Sequence, residues 1–171
     1  MAKDTVQFQR LLPGPIEKVW AYLVDSDKRK TWLADGECES KVGGKIDLYF
    51  NNKSLSSLED VSPSEKYKDT PECASICGKV THFSPPFKLS YTWEGENEFS
   101  EVTFELEEQD NRVLLTLTHK KLDNADLLLS VAAGWHTHLD ILVAVLSDLA
   151  PLPFWQQHNK FESAYKDKLK L

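Results

Sequence analysis

The 171 residues carry 20 Lys and Arg against 27 Asp and Glu, a formal charge of −7, and 41% of them are apolar. A chain of this length builds one hydrophobic core without metal or disulfide staples, and its five Trp, five Tyr and eight Phe exclude disorder of the whole. The acidic balance excludes nucleic acid as the main partner, which needs a basic stripe, and adsorption to an anionic membrane face.

Residues 5–12 alternate, with Val6, Phe8 and Arg10 on one side and Gln7, Gln9 and Leu11 on the other, and predict a strand. Pro13-Gly14-Pro15 ends it, and Pro15 suits a first helical turn, where a missing N–H costs nothing. Ile16, Val19, Trp20 and Leu23 then recur at helical spacing. A second short helix is predicted over residues 26–33, capped by Asp25 or Ser26, with Trp32 and Leu33 as its buried end. The run Lys28-Arg29-Lys30 reads as a solvated face of that helix. From Glu37 the period falls to two. Gly43-Gly44 predict a tight hairpin before the alternating Ile46, Leu48 and Phe50. Residues 51–70 are rich in Ser, Lys, Glu and Asp and are expected to form a surface insertion or flap on a single domain spanning residues 1–171. Leu55, Leu58, Val61 and Tyr67 could fold that segment back over the body.

Four more strands are predicted over residues 74–83, 88–94, 101–107 and 112–120. Pro85-Pro86, Glu94-Gly95-Glu96-Asn97 and Gln109-Asp110-Asn111 are the turns of an antiparallel meander with one wet side. Val102, Phe104 and Leu106 point inward while Thr103 and Glu105 face water; Val113, Leu115, Leu117 and His119 share one face. Val131, Trp135, Leu139, Leu142, Leu146 and Leu149 then step by three or four. They predict an amphipathic helix of about five turns, roughly 30 Å long, capped by Asn124 or Ser130 and stopped by Pro151-Leu152-Pro153. Ser130, His136, Asp140 and Ser147 interrupt this neighbourhood, so no membrane span is expected. A tail helix carries Trp155, His158, Phe161, Tyr165 and Leu169; its aromatic residues either close the core or pack on a second copy as a homodimer.

The order places the chain in the α+β class: a curved antiparallel sheet wrapped on a long C-terminal helix, with two short helices after the first strand. One helix in the concave side of a curved sheet does not fill it, and the gap becomes a cavity lined by large side chains. That favours a binding pocket over a catalytic constellation.

Taken together, Val42-Gly43-Gly44, Gly78-Lys79-Val80, Leu89-Ser90-Tyr91-Thr92-Trp93, Leu115-Thr116-Leu117-Thr118-His119, Gly134-Trp135-His136-Thr137-His138-Leu139-Asp140 and Phe154-Trp155 resemble a known family. It is the activator of heat-shock-protein-90 ATPase homologue-like branch of the START-like (SRPBCC) superfamily, and the likeness runs from about residue 5 to residue 169. The resemblance implies a helix-grip fold with an elongated, mostly apolar pocket between sheet and long helix. It implies no fixed chemistry, since members include lipid and polyketide carriers, cyclases and a chaperone-activating domain. Residues 51–70 depart from the compact family pattern.

His119 shares the inward face of its strand, and its ring is either a core histidine tied to a neighbouring polar group or a polar anchor for one end of a ligand. His138 lies beside the Trp135 and Leu139 edge of the long helix and could meet the same cavity. Gly134 is expected to let the helix approach the sheet closely, with Trp135 filling the widest gap. Trp32, Leu48, Phe50, Trp93, Phe104, Leu139 and Leu142 complete the candidate lining. A metal site is not expected. His136 and His138 lie roughly 200° apart around a helix, and Cys73 and Cys77, on a strand, span about 13 Å. Asp140 and His136 are expected to form an exposed pair one turn apart. A Walker phosphate loop and a nucleophile elbow are both missing, and no cofactor is expected. The odd count of Cys38, Cys73 and Cys77 and a start without an apolar signal stretch read as reduced thiols in the cytoplasm. The leading expectation is a binding protein for a small apolar or amphipathic molecule. The alternatives are a cyclase- or aromatase-like pocket enzyme using His119 or an acidic residue, and a protein that acts on a partner by regulating a chaperone ATPase.

Overall fold

A computed structural model describes residues 4–71, 73–94 and 99–169. In chain order the elements are β1 (Val6–Pro13), α1 (Ile16–Val24), α2 (Ser26–Arg29), β2 (Lys45–Asn51), β3 (Cys73–Ser84), β4 (Lys88–Glu94), β5 (Phe99–Gln109), β6 (Arg112–Lys120), α3 (Ala125–Leu146) and α4 (Phe154–Leu169). Single 3-10 turns at Asn52–Leu55 and Glu65–Tyr67 lie between β2 and β3. The six strands form one sheet in the order β1-β6-β5-β4-β3-β2, antiparallel throughout. β2 to β6 form a meander, β1 adds to its last strand, β6, and α3 lies on the concave face: an α+β helix-grip architecture.

Strand alternation places the core. Val102, Phe104 and Leu106 of β5 and Val113, Leu115, Leu117 and His119 of β6 all face inward and are buried. Register pairs Val102 with His119 and Phe104 with Leu117. On the opposite face Thr103 does not face water as expected; it is buried, and its hydroxyl shares a 2.8 Å hydrogen bond with Ser90 of β4. The turn expected at residues 94–97 falls mostly outside the described residues. The Gly43-Gly44 turn is stitched to β3, since Gly43 N–H donates to Val80 O at 2.7 Å and Val80 N–H to Gly44 O at 2.8 Å.

α1 buries Ile16, Val19, Trp20 and Leu23, as their spacing requires. α2 is shorter than expected. Asp25 caps it, its carboxylate accepting from Asp27 N–H at 3.0 Å, and the helix ends at Arg29, whose side chain turns inward. Arg29 is 1% exposed, so the basic run is not a solvated face as a whole; Lys28 and Lys30 are exposed and Arg29 is core.

Asn124 caps α3, its side-chain oxygen accepting from Leu127 N–H at 2.8 Å. The helix stops at Leu146, with Asp148 at φ 56°, before Pro151 is reached. By length and composition α3 could cross a membrane, and its polar interruptions do not prevent that; its place does, because Trp135, Leu139, Leu142 and Leu146 are buried inside the fold. It is a core helix. α4 packs along it: the Phe161 ring stacks on His136 at 3.7 Å, and the Tyr165 hydroxyl and His136 Nδ1 share a 2.8 Å hydrogen bond. The His136–Asp140 pair, 3.7 Å apart, is therefore half-buried under the tail helix instead of exposed. Trp155, Phe161 and Tyr165 all pack within their own chain.

Residues 51–70 lie against α4. The Asp60 carboxylate accepts from Trp155 N–H (2.9 Å) and Gln156 N–H (3.0 Å), capping a helix almost a hundred residues away. Asn159 Oδ1 accepts from Ser64 N–H and its Nδ2 donates to Ser62 O, while Ser56 Oγ donates to Pro151 O. Leu55 is buried, but Leu58 and Val61 face outward at 51% and 49% exposure. An Asp60→Ala variant is expected to lose about 1 kcal/mol of stability, the worth of a helix cap, read as a lower urea midpoint. A midpoint equal to wild type would show the cap to be dispensable.

Candidate functional site: a two-chambered cavity under the long helix

The hollow occupies only one end of α3. An inner chamber of about 170 Å³ opens against the N-terminal half of the helix, between Ser130, Val131, Gly134, Trp135 and His138 on one side and Leu33, Phe50, Trp93 and His119 on the other. An outer chamber of about 370 Å³ continues it under residues 51–70, sharing Phe50, Trp93, Gly134 and His138 and adding Tyr67, Phe154, Trp155 and His158. For scale, an apolar cavity of about 150 Å³ stays dry and takes up benzene.

Among the residues singled out from the sequence, the fold brings Phe50, Trp93, His119, Trp135 and His138 to the inner chamber. Trp32, Leu48, Phe104, Leu139 and Leu142 are not there; each is 1% exposed or less, in solid core. Leu139 and Leu142 lie past the hollow, where helix and sheet meet. Trp32 is turned away, its indole N–H donating to Tyr22 O at 2.8 Å, and the next residue, Leu33, takes the lining position. Phe104 sits edge-on beneath, 5.8 Å from Trp135 and 6.4 Å from Trp32.

Gly134 does not bring the helix close to the sheet. A Cβ placed there meets no atom within 4 Å. The missing side chain is open space, and the glycine contributes to the hollow by leaving it unfilled.

The walls are aromatic and interlocked. Phe50 and Trp93 lie 5.7 Å apart, Trp93 and Trp135 5.5 Å, Phe50 and His138 6.0 Å, and His138 and Phe154 5.0 Å. Such tilted and edge-on pairs hold one another's rotamers.

Hydrogen bonding assigns the histidine protons. Trp135 Nε1–H donates to His119 Nδ1 at 2.9 Å, so Nδ1 is an acceptor and Nε2 carries the proton, which it donates to Ser100 Oγ at 2.7 Å. Ser100 Oγ in turn donates to Trp93 O at 3.4 Å. Both ring nitrogens of His119 are thereby engaged, and its place is a brace between two wall tryptophans. Burial pulls it down to about 4, so the ring is neutral near pH 7. His138 differs. Its Nδ1–H donates to Trp32 O at 2.8 Å, which leaves Nε2 a bare lone pair. Burial, against the Trp32 bond, pulls this ring down to about 4 as well.

At the outer chamber His158 Nδ1 stands 3.7 Å from Glu162 Oε2, and neither atom has a hydrogen-bond partner. Burial first, then the nearby His138 and Lys66, pulls His158 down to about 4. Tyr67 lines the outer chamber and is tied to α3: its hydroxyl shares a 2.7 Å bond with Ser130 Oγ, which also accepts from Lys66 Nζ at 3.1 Å. Burial pushes the Tyr67 phenol up to about 12. Among the described residues no group of three or more His, Cys, Asp or Glu is placed to hold a metal ion. Sequence reasoning missed Leu33, Ser130 and the outer-chamber residues. Tyr67, an aromatic in an otherwise polar segment, carried a signal; His158 carried none, because its role depends on how α4 docks.

Comparison with known proteins agrees with this fold. The family described as "Activator of Hsp90 ATPase homolog 1-like protein" matches residues 13–147, and the chain belongs to that family. The curated proteins give no match. Among solved structures, a protein of Bordetella parapertussis is 38% identical, with a TM-score of 0.81 over 97% of this chain and 86% of its own. CalU16 of Micromonospora echinospora is 20% identical, with a TM-score of 0.70 over 98% and 88%. The Aha1 dimer of Colwellia psychrerythraea is 20% identical, with a TM-score of 0.64 over 83% and 95%. The last two share the fold.

Proposed function

We propose that the protein binds a small apolar or amphipathic molecule between α3 and the open end of the sheet. The observation that carries this reading is the empty face of Gly134, a helix glycine whose side-chain position points into unfilled space beside an aromatic wall. A cavity costs stability that packing would restore, and Gly in a helix interior costs about 1 kcal/mol relative to Ala; a fold that keeps both at one place keeps room for a guest. Three free cysteines support a reducing compartment such as the cytoplasm as its workplace. The test is Gly134→Phe. A Cβ there has open space around it and faces the inner chamber, so the ring is expected to enter the hollow: the variant should unfold at no lower urea concentration than wild type, yet bind the apolar fluorophore N-phenyl-1-naphthylamine at least tenfold more weakly. Equal binding by the two proteins would refute the reading.

A second reading, action on a partner protein, is supported by the family's description and by one surface feature. Leu58, Val61, Leu149 and Leu152 are each about half exposed or more, on two segments that the bonds from Ser56 to Pro151 and from Asp60 to the start of α4 hold together. Grouped exposed apolar residues mark contact surfaces. Stimulation of a heat-shock-protein-90 ATPase by the purified protein, and sedimentation for a homodimer like the Aha1 dimer of Colwellia psychrerythraea, test it. A pocket enzyme has less support, since both nitrogens of His119 are already engaged.

A further inference from the structure

Resting on the cavity reading above, we propose that the ligand is neutral and carries a hydrogen-bond donor, a hydroxyl or phenol, that it presents to His138 Nε2. Trp32 O takes the Nδ1 proton of His138, so the ring meets the cavity as an acceptor only. Among the described residues nothing hydrogen-bonds its Nε2, although His138 lines both chambers. The other inner polar groups are engaged: His119 spends its N–H on Ser100, Trp135 spends its indole N–H on His119, and the Ser130 hydroxyl is bonded to Tyr67 and accepts from Lys66.

This arrangement discriminates by chemistry. A carboxylate or an ether brings lone pairs toward the lone pair of His138, and a carboxylate must also shed its water without a counter-charge in the inner chamber. A hydroxyl gains a hydrogen bond in a site of low polarity, and the acceptor, otherwise bare, is satisfied. The rings of Phe50, Trp93 and Trp135 around the chamber supply the apolar remainder of the contact.

The experiment uses the full chain and four probes of one shape: 4-propylphenol, 4-propylanisole, propylbenzene and 4-propylbenzoate. Affinities come from calorimetry, and the His138 Nε2 resonance is followed in protein labelled with nitrogen-15 histidine. The phenol is expected to bind about tenfold tighter than the anisole and the hydrocarbon, the worth of one hydrogen bond, with the benzoate weakest. The Nε2 resonance is expected to move with the phenol and stay in place with the anisole. His138→Asn retains a donor to Trp32 O and removes the Nε2 acceptor; because it also alters the wall, its readout is the ratio of phenol to anisole affinity, expected to fall from about tenfold to within twofold. Phenol no tighter than propylbenzene, or benzoate tightest, would overturn the donor assignment and leave the cavity reading standing. If propylbenzene itself failed to bind, the cavity reading would fall and this inference with it.

Discussion

An Arg29→Met variant is expected to lose about 4 kcal/mol of stability, seen as a large drop in urea midpoint at unchanged slope. The guanidinium is 1% exposed and is satisfied by backbone carbonyls. Nε donates to Ala34 O at 3.2 Å, Nη1 to Leu23 O at 3.5 Å and Val24 O at 3.3 Å, and Nη2 to Gly36 O. Two of these acceptors lie at the C-terminal end of α1, where the helix dipole favours a cation. The others fix the loop before β2. That loop has little freedom: Gly36 sits at φ 114°, and a Cβ there would collide with Asp47 O. Methionine fills a similar volume but leaves those carbonyls buried and unpaired. Lysine keeps the charge without the planar fork, so Arg29→Lys is expected to fall between the two. Lys28→Met, at an exposed position of the same run, is the control and is expected to cost about 0.5 kcal/mol or less. If Arg29→Met were as mild as the control, the guanidinium would not be holding this corner. The corner matters to the site, because the same turn presents Leu33 to the inner chamber and Trp32 O to His138.

Arg29 also marks where sequence reasoning ends. Within Lys28-Arg29-Lys30 nothing local separates the middle residue from its neighbours; what does is the set of carbonyls that α1 and residues 34–36 bring around it. The fold was legible for the opposite reason. Period-two runs such as Val102, Phe104 and Leu106, and the helical spacing of Trp135, Leu139, Leu142 and Leu146, depend on the local chain alone, and each of these residues is buried. The site falls between these cases. That a hollow should lie under the long helix follows from shape, and Phe50, Trp93, His119, Trp135 and His138 could be named for their size and facing. Where along α3 the hollow stops could not. Leu139 lies one turn beyond Trp135 on the same face, and only the sheet's approach puts one beside space and the other in solid core. Gly134 was misread because a helix glycine has two opposite uses, close approach and vacancy, and the neighbours that decide between them are distant in sequence.

The protein is expected to lose stability steeply on acidification from pH 6.5 toward pH 5. His119, His138 and His158 are each held near 4 in the folded chain, chiefly by burial, against an ordinary value of 6.5. Unfolding returns all three to water. At pH 5 the unfolded chain therefore binds protons that the folded chain refuses, and stability must fall as pH falls. The full contribution is present above pH 6.5, and the loss continues until the folded rings themselves take up protons near pH 4. Three such groups set a slope of up to about 4 kcal/mol per pH unit, against a total stability of about 5–15 kcal/mol for a domain. His136, pulled down by burial against the opposing pull of Asp140, adds in the same direction. Urea midpoints at pH 7, 6 and 5.5 measure the slope. A His158→Gln variant, altered outside the inner chamber, is expected to lose about a quarter to a third of it, because one of three comparable proton linkages is gone while His136 still contributes. A midpoint that stayed level across this interval, or rose, would mean that these rings are hydrated and that the walls around them are far looser than their packing implies.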